Sequence, residues 1–123
     1  LRISRIEIIR IRPQISPDEK VEGLIYDPWM VHECSADEEG CAFTFSDPAF
    51  SQDARMATYY ARAIQEPTER INADNLRCTY DADGNCVKLD ICYGDDRIAA
   101  DDACKRSVEE RAWSSPIFVE YQN

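Results

Sequence analysis

Histidine is nearly absent from this chain of 123 residues, in which His32 is the only imidazole. A hydrolytic zinc site usually takes three protein ligands, often with two histidines, and a serine or cysteine nucleophile needs a histidine base and a third partner. The sequence also has no G-x-S-x-G elbow and no phosphate-binding loop. We therefore expect that the chain alone is not an enzyme and has no catalytic residue, no cofactor and no tight metal site. We interpret His32 as a strand histidine at the domain surface.

Positive charge and long apolar runs are scarce as well. Lys and Arg total 14 against 24 Asp and Glu, which gives a net charge of -10. Nucleic acids and anionic membranes bind clustered cations, and a membrane-spanning helix needs roughly 20 apolar residues. We therefore expect no nucleic-acid partner and no membrane insertion. The chain starts directly in a strand-like segment, without a signal peptide, which we interpret as the start of a mature form or of a fragment of a longer protein.

Cysteine, by contrast, is abundant and even in number. There is no C-x-x-C spacing, which disfavours zinc and thioredoxin-like sites. Three disulfides would place the chain in an oxidising compartment, the periplasm or the cell exterior, whereas six buried free thiols in a cytosolic protein are the alternative. Each consecutive pair brackets a turn-rich segment, so we favour the pairs Cys34–Cys41, Cys78–Cys86 and Cys92–Cys104.

Strand-like patterns dominate the rest of the chain. β-branched and aromatic residues, or period-two alternation, predict strands over residues 1–12, 29–33, 42–45, 58–66 and 112–121, with a hairpin over 78–91. Residues 58–66 are predicted to form a central strand, although their alanines leave a helix as the alternative. A helical turn capped by Asp53 is expected before this strand. The fold class is therefore all-β, a small antiparallel β-sandwich of immunoglobulin-like type, and all of 1–123 forms one domain.

The last predicted strand supplies the predicted core. Trp113, Ile117 and Val119 share one strand parity, so we expect all three to face the sheet interior. Pro116 lies within the same segment, and a proline there implies a bulge or a sheet edge.

Clustered acids suggest metal or glycosidase chemistry that the spacing does not support. Asp81, Asp83 and Asn85 partly match a calcium loop, but the twelfth position is Cys92 instead of a glutamate. We therefore interpret this loop as a turn and, at most, as a weak calcium site, like the group Asp95, Asp96, Asp101 and Asp102. Glu109 and Glu110 are adjacent, and adjacent strand residues face opposite sides, which argues against a glycosidase pair.

Aromatic residues leave a further alternative open. Stacked rings on a small β domain can bind sugars, although such rings are more often core or interface residues. The candidates for a sugar-binding platform are Trp29, Trp113, Tyr26, Tyr80, Tyr93 and Tyr121.

Three motifs resemble the C-terminal region of a bacterial family. Residues 47–50 read DPAF, residues 59–67 read YYARAIQEP, and residues 110–118 read ERAWSSPIF. Together with the opening RIEIIR at 5–10, they resemble the domain-of-unknown-function 3604 family, whose members look like PHP-type (polymerase-and-histidinol-phosphatase-like) metal-dependent hydrolases. The cysteine-rich stretch of residues 67–110 departs from many members and is interpreted as an insertion between the last two strands.

The resemblance implies a role for the chain. Family members are longer, many are exported, and their metal ligands lie in a histidine- and aspartate-rich domain ahead of this region, so no catalytic residue can be assigned here. The resemblance therefore predicts a non-catalytic C-terminal accessory domain of an exported PHP-like metallohydrolase, with its own upstream catalytic domain as partner. A self-standing secreted binding module for a glycan or another cell-surface ligand is the alternative.

Overall fold

In a computed structural model of the chain, the structure describes residues 1–37, 40–73, 77–95, 97–102 and 104–122. Antiparallel strands make up nearly all of the regular structure, which confirms the all-β class, whereas the immunoglobulin-like arrangement stays a prediction. The strands are β1 Ile3–Ile11, β2 Ile25–Glu33, β3 Ala57–Gln65, β4 Thr68–Ile71, β5 Cys78–Tyr80, β6 Cys86–Leu89, β7 Lys105–Val108, β8 Arg111–Trp113 and β9 Ile117–Val119. The described residues also include a 3-10 turn, Val21–Gly23, and a short helix, α1 Phe50–Asp53. No helix among the described residues has the length and apolar character needed to cross a membrane.

The chain divides into two compact units. The first, the sheet unit, comprises Leu1–Glu66 and Arg111–Asn123. The second, the insertion unit, comprises Pro67–Glu110, the same residues that the sequence marks as the cysteine-rich insertion.

A five-stranded antiparallel sheet forms the sheet unit. Its order is β2-β1-β3, and β8 and β9 both pair with the outer side of β3. Strand β3 is therefore central, as predicted for residues 58–66, and the alternative helix is wrong. Trp113 lies opposite Arg62 in β3, and Ile117 lies opposite Tyr59.

Strand β1 carries two irregularities of register. The register shifts between Ile8 and Arg10 against β2, and between Ile3 and Arg5 against β3. Four successive residues of the strand, Glu7 to Arg10, are buried, so its centre is covered on both faces. A bulge explains how both parities can be buried in one strand.

The hydrophobic core lies on one face of this sheet, here called the core face. Ile8, Ala57 and Tyr59 are buried at its centre. The half-buried side chains packed around them come from β1, β2, β3, β9 and the segment before β3, namely Ile6, Trp29, Met30, Phe43, Phe50, Ala61 and Val119. On the opposite face, Ile9 and Ile64 are fully buried.

Residues 42–45 were predicted as a strand, and that prediction is wrong. The segment forms no ladder, but its alternating side chains pack over the core face of the sheet. The Phe43 ring stacks on His32 with centroids 4.3 Å apart, and the Phe45 ring lies 5.8 Å from Trp29. The period-two pattern thus reflects ring contacts with the sheet and not membership of it.

Two further local predictions need correction. Asp53 is the last residue of α1, and Ala49 occupies the N-cap position, so Asp53 does not cap the helical turn. The strand predicted over residues 29–33 starts too late, because β2 already begins at Ile25.

The prediction that Trp113 and Ile117 are core residues is also wrong. They are 61% and 63% exposed, whereas Val119 is half-buried and packs against the core. The parity argument assumed one continuous strand, but residues 114–116, which include Pro116, separate β8 from β9. Trp113 and Ile117 therefore face opposite sides of the sheet, as their partners Arg62 and Tyr59 do.

Two small sheets and two disulfides organise the insertion unit. Strand β4 pairs with β7, and the predicted hairpin is formed by β5 and β6. The pairs Cys78–Cys86 and Cys92–Cys104 lie in this unit, and Cys34–Cys41 lies in the sheet unit. This is the pairing that the sequence favours.

Candidate functional site

A buried ionic cluster, here called the Asp47 cluster, joins the core face of the sheet to the segment before α1. Arg10 Nη1 donates to Asp47 Oδ2 at 2.8 Å, and the Tyr59 hydroxyl donates to the same oxygen at 2.7 Å. The other oxygen, Oδ1, accepts the backbone N–H of Ala49 at 3.0 Å. The Arg10 and Asp47 side chains are 6% and 7% exposed. The carboxylate is thus satisfied by groups of the chain itself.

Aromatic rings complete the surroundings of Arg10. Its Cζ lies 4.8 Å from the ring centroids of both Tyr26 and Trp29. Cation–π contacts of this kind stabilise a desolvated guanidinium by about 0.5–2 kcal/mol each. Tyr26 and Trp29, two candidates for a sugar-binding platform, therefore contact a structural arginine.

The cluster shifts two pKa values in opposite directions. Burial raises the pKa of Asp47, but hydrogen bonds from Arg10 and Tyr59 outweigh it, and the net shift is downward. Burial, reinforced by the hydrogen bond to the Asp47 carboxylate, raises the pKa of Tyr59 to about 12. A carboxylate held ionised between an arginine and a neutral phenol is not suited to act as a general acid or base near neutral pH.

A second ionic network lies on the opposite face of the sheet. Glu7 accepts from Arg5 Nε at 2.9 Å and from Arg62 Nε at 2.7 Å, and Arg62 Nη2 reaches Asp27 at 2.7 Å. Burial alone would raise the pKa of Glu7. The hydrogen bonds from Arg5 and Arg62 lower it by more than burial raises it, so the pKa of Glu7 lies below its usual value. The strands hold this network because Glu7 and Arg62 are directly paired residues of β1 and β3.

An apolar groove runs along the core face beside the Asp47 cluster. Its volume is about 290 Å³, and a neighbouring cavity of about 210 Å³ shares Phe45, Tyr59 and Ile117 with it. The groove lining is Phe45, Asp47, Phe50, Tyr59, Ile117 and Val119. Since the Asp47 oxygens are already bonded within the chain, the groove offers apolar contact and little polar recognition.

Strands β8 and β9, at the edge of the sheet beside this groove, expose large apolar side chains. Trp113, Ile117 and Phe118 are 61%, 63% and 67% exposed. Phe118 lies opposite Thr58 in β3, and Ile117 lies opposite Tyr59, so the exposed side chains occupy both faces of the edge. We call this surface, formed by β8 and β9, the apolar edge.

The acidic loops behave as local turns. Asp81 Oδ1 accepts the backbone N–H groups of Asp83 and Asn85 at 3.0 and 2.9 Å, and the hydrogen bonds from Asn85 lower the pKa of Asp81. This is an Asx-type turn within the β5–β6 hairpin, and it occupies both carboxylate oxygens of Asp81, one of the three calcium candidates.

The other acidic candidates are mostly paired with arginines. Asp95 binds Arg97, and Glu110 binds Arg70. Asp102 binds Arg77. Asp96 lies outside the described residues. A carboxylate oxygen of Asp102 lies within 4.8 Å of the sulfurs of Cys92 and Cys104, but these sulfurs are bonded to each other and provide no thiolate for a metal.

Comparison with protein families decides the classification. A family model described as "Protein of unknown function (DUF3604)" matches residues 32–121, well over half of the chain. The chain belongs to the DUF3604 family. No curated protein and no solved structure matches it.

The motifs that resemble DUF3604 proteins meet in space. The DPAF motif supplies Asp47 and Phe50 to the groove, the YYAR motif supplies Tyr59, and the ERAW motif supplies Ile117. The sequence motifs did not predict the Asp47 cluster. The available signal was Arg10, a cation within an isoleucine-rich strand, which needs a buried acidic partner.

Proposed function

We propose that this DUF3604 chain is a non-catalytic accessory β domain of a metallohydrolase that resembles the PHP type, and that it packs on the catalytic domain of that protein. The apolar edge carries this proposal. Contiguous exposed apolar groups, here along one edge of the sheet and on both of its faces, are typical of an interface. Trp113, Ile117 and Phe118 are concentrated within residues 113–118.

The backbone of the apolar edge supports the same conclusion. Strands β8 and β9 each pair with β3 on one side, and no described strand pairs with their other side. Exposed edge strands with apolar side chains are prone to unwanted pairing, and proteins usually cover or interrupt them. A neighbouring domain that covers the edge would bury both its apolar side chains and the outward-facing backbone groups of β8 and β9.

The ionic clusters support a structural role instead of a catalytic one. Asp47 and Glu7 are the most buried carboxylates of the sheet unit's two networks, and arginines hold both in the ionised form. His32 stacks on Phe43. These groups stabilise the sheet, and the two carboxylates lie on opposite faces of it, so they do not converge on one cleft.

We also propose that the protein is exported to the periplasm or the cell exterior. The three disulfides fit an oxidising environment. With a net charge of -10, the chain is not suited to bind nucleic acid.

The first test is genetic and enzymatic. The reading frame upstream of Leu1 should encode a domain rich in histidine and aspartate, and the purified chain should not turn over phosphate-ester or sulfate-ester substrates with added manganese or zinc. A frame without such a domain would contradict the proposal. So would turnover by the chain that survives re-purification and disappears in His32→Ala.

The second test addresses the interface in the whole protein. Trp113→Ser combined with Phe118→Ser should lower the melting temperature of the catalytic domain in the full-length protein. Tyr93→Ser is the matched control, because Tyr93 is 56% exposed and belongs to the insertion unit. Equal melting temperatures for both variants would refute docking through the apolar edge.

The groove keeps a second candidate function open, a binding module for a glycan or another cell-surface ligand. Phe45, Phe50 and Tyr59 line the groove with aromatic rings, and such rings stack on sugars. Phe45→Ala should then weaken glycan binding on an array or in a titration. Absence of any glycan binding by the unmodified chain would remove this candidate.

A further inference from the structure

Arg77 places a buried positive charge against one sulfur of the insertion unit. Its side chain is 7% exposed, and its Nη1 contacts Sγ of Cys92. Nη2 lies 2.5 Å from Asp102 Oδ2, and Nε is buried without a hydrogen-bond partner among the described residues. A disulfide sulfur is neutral and a weak acceptor, so the contact with Cys92 contributes little while the disulfide is intact.

The two sulfurs of this disulfide have different electrostatic surroundings. Sγ of Cys92 contacts the guanidinium, whereas the Asp102 carboxylate lies within 4.8 Å of both sulfurs and accepts the backbone N–H of Cys104 at 2.8 Å. Asp90 also approaches Arg77, at 3.7 Å, but it is more than half exposed and is therefore screened by water. A neighbouring cation stabilises a thiolate, and a neighbouring carboxylate destabilises it. Negative charge is therefore better accommodated on Cys92 than on Cys104.

We propose that the Cys92–Cys104 disulfide is a thiol-exchange site that a dithiol reductant opens by attack on Cys104, with Cys92 as the leaving sulfur. Both cysteines are half-buried, so a small reductant can reach the bond. The proposal does not depend on the accessory role of the chain.

The exchange proceeds in two balanced steps. A thiolate of the reductant forms a bond to Sγ of Cys104, the Cys92–Cys104 bond breaks, and its electron pair leaves on Cys92 beside Arg77. The second thiolate of the reductant then attacks the reductant's own sulfur in the mixed disulfide and releases Cys104 as a thiolate. The protein disulfide gains two electrons, and the dithiol becomes a disulfide.

The first experiment follows the three disulfides of the chain in one sample. The chain is exposed to limiting dithiothreitol, quenched with iodoacetamide, digested and mapped by mass spectrometry. Cys92–Cys104 should open before Cys34–Cys41, which serves as the internal reference. Arg77→Gln should slow its opening about threefold relative to that reference, because the leaving thiolate of Cys92 loses the neighbouring cation that stabilises it.

Two further variants separate charge from packing. Arg77→Lys keeps a cation beside Cys92 and should retain most of the rate. Asp90→Asn, the matched control at an exposed partner of Arg77, should leave the rate unchanged. An unchanged ratio of opening rates in Arg77→Gln would overturn the proposal.

A trapping experiment on the unmodified chain shows which of the two sulfurs the reductant attacks. It tests the proposal even if Arg77→Gln does not fold. Incubation with excess glutathione, a monothiol, should leave glutathione attached to Cys104 and an alkylatable thiol at Cys92. Glutathione found mainly on Cys92, or equally on both cysteines, would overturn the proposal.

Discussion

Replacing Asp47 by asparagine should destabilise the sheet unit strongly, because it leaves the buried cation of Arg10 without its counter-ion. The substitution keeps the size of the side chain but removes the charge that binds Arg10 at 2.8 Å and Tyr59 at 2.7 Å. Removing one partner of a buried pair costs about 3–5 kcal/mol. Tyr26 and Trp29 still contact the stranded guanidinium, so we expect the lower end, about 3 kcal/mol.

Urea unfolding at neutral pH, followed by far-ultraviolet circular dichroism, measures this loss in the free energy of unfolding. Glu66→Gln is the matched control in the same unit, because Glu66 pairs with Arg2 at 3.7 Å and both side chains are about half exposed. That pair should contribute no more than a few tenths of a kcal/mol. The double variant Arg10→Met, Asp47→Leu removes both charges and should be more stable than Asp47→Asn.

The pH dependence of the stability difference between the unmodified chain and Asp47→Asn provides an internal check. The pKa of Asp47 in the folded state lies below its ordinary value of 3.8, so its stabilising contribution is present above that pH and is lost as the pH falls below it. The stability gap between the unmodified chain and Asp47→Asn should therefore narrow in acid. An Asp47→Asn variant that unfolds with the unmodified chain at neutral pH would refute the assignment of Arg10 and Asp47 as a buried pair.

Three further results are expected. One tyrosine should ionise only near pH 12 in an absorbance titration, and Asp47→Asn should lower that value, because the Asp47 carboxylate contributes to the raised pKa of Tyr59. Because folding raises the pKa of Tyr59, the stability that this group contributes should be lost as the pH rises from about 10 through about 12. Replacing both cysteines of Cys34–Cys41 by alanine should cost about 2.5 kcal/mol in urea unfolding, the chain-entropy value for a loop of this length, and no loss would contradict it. Ala54→Gly should raise the melting temperature, because Ala54 ends α1 in a left-handed conformation, with φ of 48°, that costs a non-glycine residue about 1 kcal/mol; a lowered melting temperature would contradict that conformation.

Local patterns in the sequence were sufficient for the strands that carry periodic apolar residues. The β-branched run of β1 and the central position of β3 follow from residue type and alternation, and the cysteine spacing favoured the pairing that the structure shows. Strands β4 and β7 were not predicted. They pair charged segments, Glu69 with Ser107 and Arg70 with Arg106, in which no apolar alternation marks a strand.

The errors at Trp113 and Phe45 have a common physical cause. Alternation reports that one side of a segment is apolar, but it does not report what covers that side. Phe43 and Phe45 pack over the sheet, whereas Trp113 and Ile117 lie at its edge and stay exposed. The Asp47 cluster was missed for a related reason, because Arg10, Asp47 and Tyr59 are distant in sequence and only the sheet register brings them together.

The most direct test of the accessory role is whether a catalytic domain covers Trp113. Trp29 and Trp113 are the two tryptophans of the chain, so labelling with fluorotryptophan gives two fluorine resonances, and Trp29→Phe assigns them. On addition of the unlabelled catalytic domain, the Trp113 resonance should shift and lose its sensitivity to solvent, because Trp113 passes from 61% exposed to buried. The Trp29 resonance should stay unchanged, since Trp29 already packs in the core. A Trp113 resonance that does not change at saturating catalytic domain would contradict docking through the apolar edge.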